Sequence, residues 1–127
     1  MRNKILLVDD DPGFQFIMKE YLEKIKSIRW FYFESDAQSA LEFLEWRNLK
    51  NDFPNQIFLD LKMPGFSGFD FLEQYSKKYP VLFPSTKINI VTSSDLDLDR
   101  EKTFAYPFVH AYITKPLTEE NLKAVLK

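Results

Sequence analysis

The sequence predicts an α/β domain, a five-stranded parallel sheet with helices on both faces. Three observations lead there. Short apolar runs alternate five times with longer stretches that carry helical periodicity or helix caps. Each run stops abruptly in Asp, Glu, Thr or Lys, as strands do where they reach the edge of a buried sheet. The chain has 127 residues, of which 45% are hydrophobic, enough for a single domain with a real core.

Each element has its own local signal. Ile5-Leu6-Leu7-Val8 is a continuous apolar run and reads as a strand buried on both faces. Asp9-Asp10-Asp11 stops it, and Asp11 with Pro12 suits the cap and first position of a helix. That helix is expected to reach about Lys26, with Phe14, Ile17, Met18, Tyr21, Leu22 and Ile25 on one apolar face. Ile28 to Phe33 is aromatic and β-branched, a second strand. Ser35-Asp36-Ala37-Gln38 fits a capping box, opening a helix that faces inward with Ala37, Ala40, Leu41 and Leu44. Asn48 to Asn55 reads as loop. Gln56 to Leu61 is the third strand and Phe69 to Tyr79 the third helix, with Phe69, Leu72 and Tyr75 or Ser76 inward. Pro80 and Pro84 bound a connector. Ile88 to Val91 is the fourth strand. Asp95 to Tyr106 is a weak fourth helix cut short by Pro107. Val109 to Thr114 is the fifth strand, and Thr118 caps a last helix with Glu119 and Glu120 in its first turn.

Composition excludes several classes of function. The chain has no Cys, so disulfides, thiolate metal sites and Cys nucleophiles are out. A net charge of -2, with both signs dispersed, gives no electrostatic basis for nucleic-acid binding. No stretch reads as a signal peptide or membrane span, so a cytoplasmic location without membrane insertion is expected. No repeat or linker is visible, and the expected organisation is one domain over residues 1–127 with no output domain.

The chemistry lies at the carboxyl ends of the strands. The first is succeeded by Asp9 and Asp10, the third bears Asp60 near its end, the fourth is succeeded by Thr92 and the fifth by Lys115. In the 2-1-3-4-5 order the first and third strands are neighbours, so three carboxylates meet beyond the carboxyl ends of the sheet. Three like charges need a counter-charge, and a divalent cation with oxygen ligands such as Mg²⁺ supplies it. Lys115 adds an ammonium and Thr92 a hydroxyl. The set suits one phosphoryl group, with the Asp60 carboxylate as nucleophile. Taken alone, Asp60 could equally be a turn residue; its company favours the nucleophile. Asp11 is read only as a helix cap. His110 is read as a surface or strand-edge residue, and Phe104, Tyr106 and Phe108 as packing.

Four segments carry a family resemblance: Ile5 to Asp11, Leu59-Asp60-Leu61-Lys62-Met63-Pro64-Gly65-Phe66-Ser67-Gly68, Ile90-Val91-Thr92-Ser93-Ser94, and Tyr112-Ile113-Thr114-Lys115-Pro116-Leu117. In their order and spacing the chain resembles the receiver domains of bacterial two-component response regulators, of the single-domain, chemotaxis-regulator-like kind with a flavodoxin-like fold. The resemblance implies that Asp60 accepts a phosphoryl group from a histidine kinase or a histidine phosphotransfer protein. It implies that Asp9, Asp10, Asp60 and the backbone carbonyl of Lys62 hold Mg²⁺, for which Mn²⁺ substitutes, that Lys115 contacts the phosphoryl oxygens, and that the bond from Lys115 to Pro116 is cis. It further implies that Thr92 moves to the phosphoryl group and that Tyr112 turns inward with it. The surface around the fourth helix, fifth strand and last helix then binds a downstream protein, the domain being a monomer or a phosphorylation-dependent dimer. Lys62 and Ser94 stand where, by resemblance, side chains govern water access to the acyl phosphate. The segment Asp95 to His110 departs from the family by lacking a Gly before the fifth strand. Two other classes stand beside this reading: a phosphorylation-independent interaction module on the same fold, and a phosphohydrolase with an Asp nucleophile. The latter wants a second Asp where this chain has Lys62, so the domain is expected not to be an enzyme beyond assisting its own phosphorylation and dephosphorylation.

Overall fold

A computed structural model describes residues 2–127. Five strands form one parallel sheet: β1 (Asn3–Val8), β2 (Ile28–Glu34), β3 (Gln56–Leu59), β4 (Lys87–Thr92) and β5 (Val109–Thr114), in the order β2-β1-β3-β4-β5. The helices are α1 (Pro12–Glu23), α2 (Ala37–Leu49), α3 (Gly68–Ser76), α4 (Tyr79–Leu82), α5 (Asp97–Phe104) and α6 (Glu119–Leu126). The expected architecture and strand order both hold.

The continuous apolar runs are explained by burial on two faces. Leu6, Val8, Ile57, Leu59, Ile88 and Ile90 pack with Ala40, Leu44, Phe71, Leu72 and Tyr75 of α2 and α3. The alternating residues Ile5, Leu7, Phe58 and Val91 pack with Phe14, Met18 and Leu22 of α1 and Leu122 of α6. A one-residue slip in any central strand would exchange these two sets, so the register is fixed from both sides. Strand β2 is an edge and keeps a cluster of rings on its outer flank. The Arg47 guanidinium lies 4.1 Å from the centroid of Trp30, 4.8 Å from Trp46, 5.0 Å from Tyr32 and 5.3 Å from Phe43. Its Nη1 donates to Asp52 at 2.8 Å.

Several element boundaries differ from expectation. Helix α1 ends at Glu23, and Ile17 stays exposed beside the buried Phe14, Met18 and Leu22. Helix α2 is capped by Asp36, not Ser35: the Asp36 carboxylate accepts the Ser39 amide at 2.7 Å, while Ser35 Oγ accepts from the Gln15 side chain at 3.2 Å. Asp and Ser are comparable caps, so the pattern alone leaves the start open by one residue, and with Ser35 engaged by Gln15 the helix starts after Asp36. The helix then runs on to Leu49, into the stretch expected as loop. Strand β3 stops at Leu59, so Asp60 and Leu61 lie just beyond it. Helix α3 ends at Ser76, with Phe71 rather than Phe69 fully buried. The proline connector contains a one-turn helix, α4, whose first turn carries Pro80. The expected fourth helix is therefore α5, shortened to Asp97–Phe104, with Leu96 at its cap position and no side-chain cap bond. Of the aromatic trio near it, Tyr106 and Phe108 pack on the core, whereas Phe104 is exposed. His110 is exposed, as expected. Among the described residues no helix is long and apolar enough to cross a membrane.

Candidate functional site

Three of the seven expected site residues, Asp9, Asp60 and Lys115, are the first residues past a strand, and each remains tied into the sheet by its amide. Asp9 N donates to Glu34 O at 3.1 Å, Asp60 N to Val8 O at 3.0 Å and Lys115 N to Thr92 O at 2.7 Å. The side chains therefore project from backbone as fixed as the strands themselves. Carboxylate oxygens of Asp9, Asp10 and Asp60 all lie within 4.8 Å of one another. Asp9 is fully buried, Asp60 is buried and Asp10 is exposed.

The turns beyond the strands add donors. Asp9 Oδ1 accepts the Asp11 amide at 2.9 Å, and Asp60 Oδ1 accepts the Lys62 amide at 3.3 Å. The Asp9 carbonyl accepts from the Gln15 side chain at 2.6 Å. Lys115 Nζ stands 2.9 Å from Asp9 Oδ2 and 3.9 Å from Asp60 Oδ2. The bond from Lys115 to Pro116 is cis. Close packing under Asp60 comes from Gly68. Its amide donates to Leu61 O at 3.1 Å, and a Cβ there would fall on the Asp60 carbonyl oxygen and 2.7 Å from Leu61 Cα. Only glycine lets α3 start this close to the end of β3.

Electrostatically the site carries more negative than positive charge. One ammonium faces three carboxylates, and burial pushes the Asp9 carboxyl above its ordinary range. Its bond to the Asp11 amide and the nearby Lys115 act the other way, while the Asp60 charge adds to the rise. Asp9 Oδ2 is buried without a hydrogen bond. It sits at ion-pair distance from Lys115 Nζ but off the hydrogen-bond direction. A buried carboxylate oxygen with a free lone pair, beside two more carboxylates, fits a small divalent cation with oxygen ligands.

Thr92 is fully buried at the end of β4 and its Oγ1 accepts the Ser94 amide at 3.4 Å. Tyr112 is buried, its hydroxyl donating to Ser94 O at 2.9 Å, and the Arg100 guanidinium covers its ring at 4.8 Å. Ser94 thus joins the two, and its own hydroxyl donates to Asp99 Oδ2 at 2.5 Å. The structure brings Asp9, Asp10, Asp60 and Lys115 together; Thr92 and Tyr112 meet through Ser94. The contacts of Gln15, Gly68 and Asp99 are not apparent from the sequence pattern. Gly68 alone carries a signal there, a glycine at the start of a helix where turn chemistry is already complete at Gly65.

The doubly wound sheet thus ends, at its switch point, in an acidic cluster faced by a lysine. The chain belongs to the response regulator receiver domain family, which it matches over residues 5–127. It is 29% identical over 123 residues to the probable C4-dicarboxylate response regulator DctR of Halalkalibacterium halodurans, covering 97% of this chain and 49% of that protein. The chain therefore spans about half the length of DctR. It is 26% identical over 128 residues to sporulation initiation phosphotransferase F of Bacillus subtilis, covering 100% of this chain and 93% of that one. A two-component response regulator from Cytophaga hutchinsonii has the same fold, with a TM-score of 0.90 at 21% identity, covering 99% of this chain and 96% of that one.

Proposed function

We propose that Asp60 accepts a phosphoryl group from a phosphohistidine on a histidine kinase or histidine phosphotransfer protein. An Asp60 carboxylate oxygen attacks phosphorus, the P–N bond to the imidazole breaks, and the imidazole leaves with the bonding pair and takes up a proton. The reading rests on one observation: the Asp60 carboxylate lies beside the buried Asp9 and within 3.9 Å of the Lys115 ammonium, at the carboxyl edge of the sheet. Lys115 stands where it can neutralise the charge added to Asp60. Asp9, Asp10, Asp60 and the Lys62 carbonyl would hold Mg²⁺ or Mn²⁺, which would screen the acids and the phosphoryl oxygens.

Regulation arises from the neighbours of Thr92. The phosphoryl group carries about -1.5 to -2 units of charge, but the Asp60 carboxylate gives up its own charge in the acyl bond, so the site gains roughly one net negative charge together with strong acceptors. In this scheme the Thr92 hydroxyl turns to donate to them, and Ser94, which bonds both Thr92 and Tyr112, carries that change to Tyr112. The surface so altered includes α5, β5 and α6, where Leu96, Leu98 and Phe104 are exposed. A downstream protein binds there in the proposed scheme, in the cytoplasm, with residues 1–127 acting as one receiver unit.

The test is an intact-mass measurement after incubation with a small phosphodonor and Mg²⁺. One phosphoryl group is expected on the parent chain and none on Asp60→Asn. Failure to gain mass even from a phosphorylated histidine donor would favour a phosphorylation-independent interaction module. Repeated turnover of a small phosphate ester would mark a phosphohydrolase.

A further inference from the structure

Lys115 reaches its ammonium into the site on a long stem, and three partners surround it. Two are the carboxylates of Asp9 at 2.9 Å and Asp60 at 3.9 Å. The third is the face of the Phe14 ring, whose centroid is 4.5 Å from Nζ. That distance lies inside the range in which a ring quadrupole attracts a cation, and the attraction grows as water is excluded. Here the Lys115 side chain is only 18% exposed.

The ring is itself held in place. Asp11 caps α1 by accepting the Gly13 amide at 2.9 Å, and Pro12 starts the helix, so Phe14 sits on a well-fixed first turn. Phe14 is buried in the same cluster as Met18, Leu22 and Leu117. Leu117 lies two residues past Lys115, and its carbonyl accepts from Tyr21 of α1 at 3.3 Å. Helix α1 and the turn after β5 thus grip each other just beside the ammonium. Carboxylates alone would let the ammonium slide between Asp9 and Asp60; a ring on the remaining side limits that movement.

We propose that Phe14 is a positioning residue that holds the Lys115 ammonium at the phospho-acceptor site by a cation–π contact. The proposal rests on the phospho-acceptor reading for its consequence, but the contact itself does not. An ordinary core phenylalanine would contribute packing alone. A positioning ring contributes through its negative face, which fluorine substitution withdraws while the shape stays nearly constant.

The experiment incorporates mono-, di- and trifluorophenylalanine specifically at position 14, beside Phe14→Leu. The rate of phosphorylation by a small phosphodonor in Mg²⁺ should fall stepwise with fluorine number, reaching about three- to tenfold in the trifluoro and Leu chains. Thermal melting should barely change across the fluorinated series. Without phosphodonor, the Lys115 ε and ζ proton resonances, shifted upfield by the ring, should move downfield in Phe14→Leu. A flat rate across the fluorinated series, or unmoved Lys115 resonances in Phe14→Leu, would overturn the proposal. If the parent chain takes up no phosphoryl group, the phospho-acceptor reading fails, and the Lys115 resonances alone decide whether Phe14 holds the ammonium.

Discussion

Asp9 shows how the site trades stability for charge. Burial raises its pKa, so the folded chain binds this proton more tightly than the unfolded chain does. The contribution of Asp9 to stability is therefore greatest in acid. It declines as pH rises from the unfolded carboxyl value of about 3.9 through the raised folded value, then levels off. Asp9→Asn should accordingly be more stable than the parent at neutral pH in chelator, seen as a higher melting temperature. The Asn Oδ1 can still accept the Asp11 amide. The advantage should shrink on acidification, a trend that melts recorded between pH 3 and 8 would reveal. Asp9, Asp60 and Lys115 were legible because each comes directly after a strand whose pattern is plain, where sheet geometry settles its place. Ser94 as the link between Thr92 and Tyr112, and Phe14 as a neighbour of Lys115, were not, because they depend on loop conformation and side-chain direction.

Elements differ in how much of their placement local sequence controls. Strand β5 and the Thr118 cap of α6 fall where the pattern puts them, because β-branched residues and a hydroxyl before two acids act locally. Helix α4 is hidden in the sequence: Pro80 reads as a breaker, yet proline is tolerated in a first turn, and Tyr79 anchors that turn in the core. The junction of β3 and α3 gives a sharp test. Gly68→Ala places a methyl group against the backbone of Asp60 and Leu61, so it should cost about 2 kcal/mol or more in denaturant melts. The same change should weaken Mg²⁺ binding, measured by calorimetry, because relief of the clash displaces Asp60. On the edge, Arg47→Ala should cost a further kind of stability, about 1–3 kcal/mol, since it removes the cation from four rings and leaves Asp52 without that partner. Far from the site, it should leave phosphorylation rates unchanged.

At the scale of the molecule, the parallel α/β class was legible from the alternation of elements and the strand order from the family resemblance; element lengths were not, because helix ends are set by caps one residue apart. Whole-molecule stability should register the cation through linkage. Mg²⁺ at about 100 times its dissociation constant should add about 2.7 kcal/mol, seen as a rise in melting temperature that Asp9→Asn and Asp60→Asn both diminish. The amides of Asp9, Asp60 and Lys115 have a further consequence. All three donate to carbonyls of neighbouring strands, although their side chains serve the site. They should be among the slowest to exchange with deuterium, opening only when the sheet itself comes apart, while residues a few positions along in the turns exchange rapidly. The chemistry would then sit on the least yielding backbone in the chain, with mobility confined to the loops that surround it.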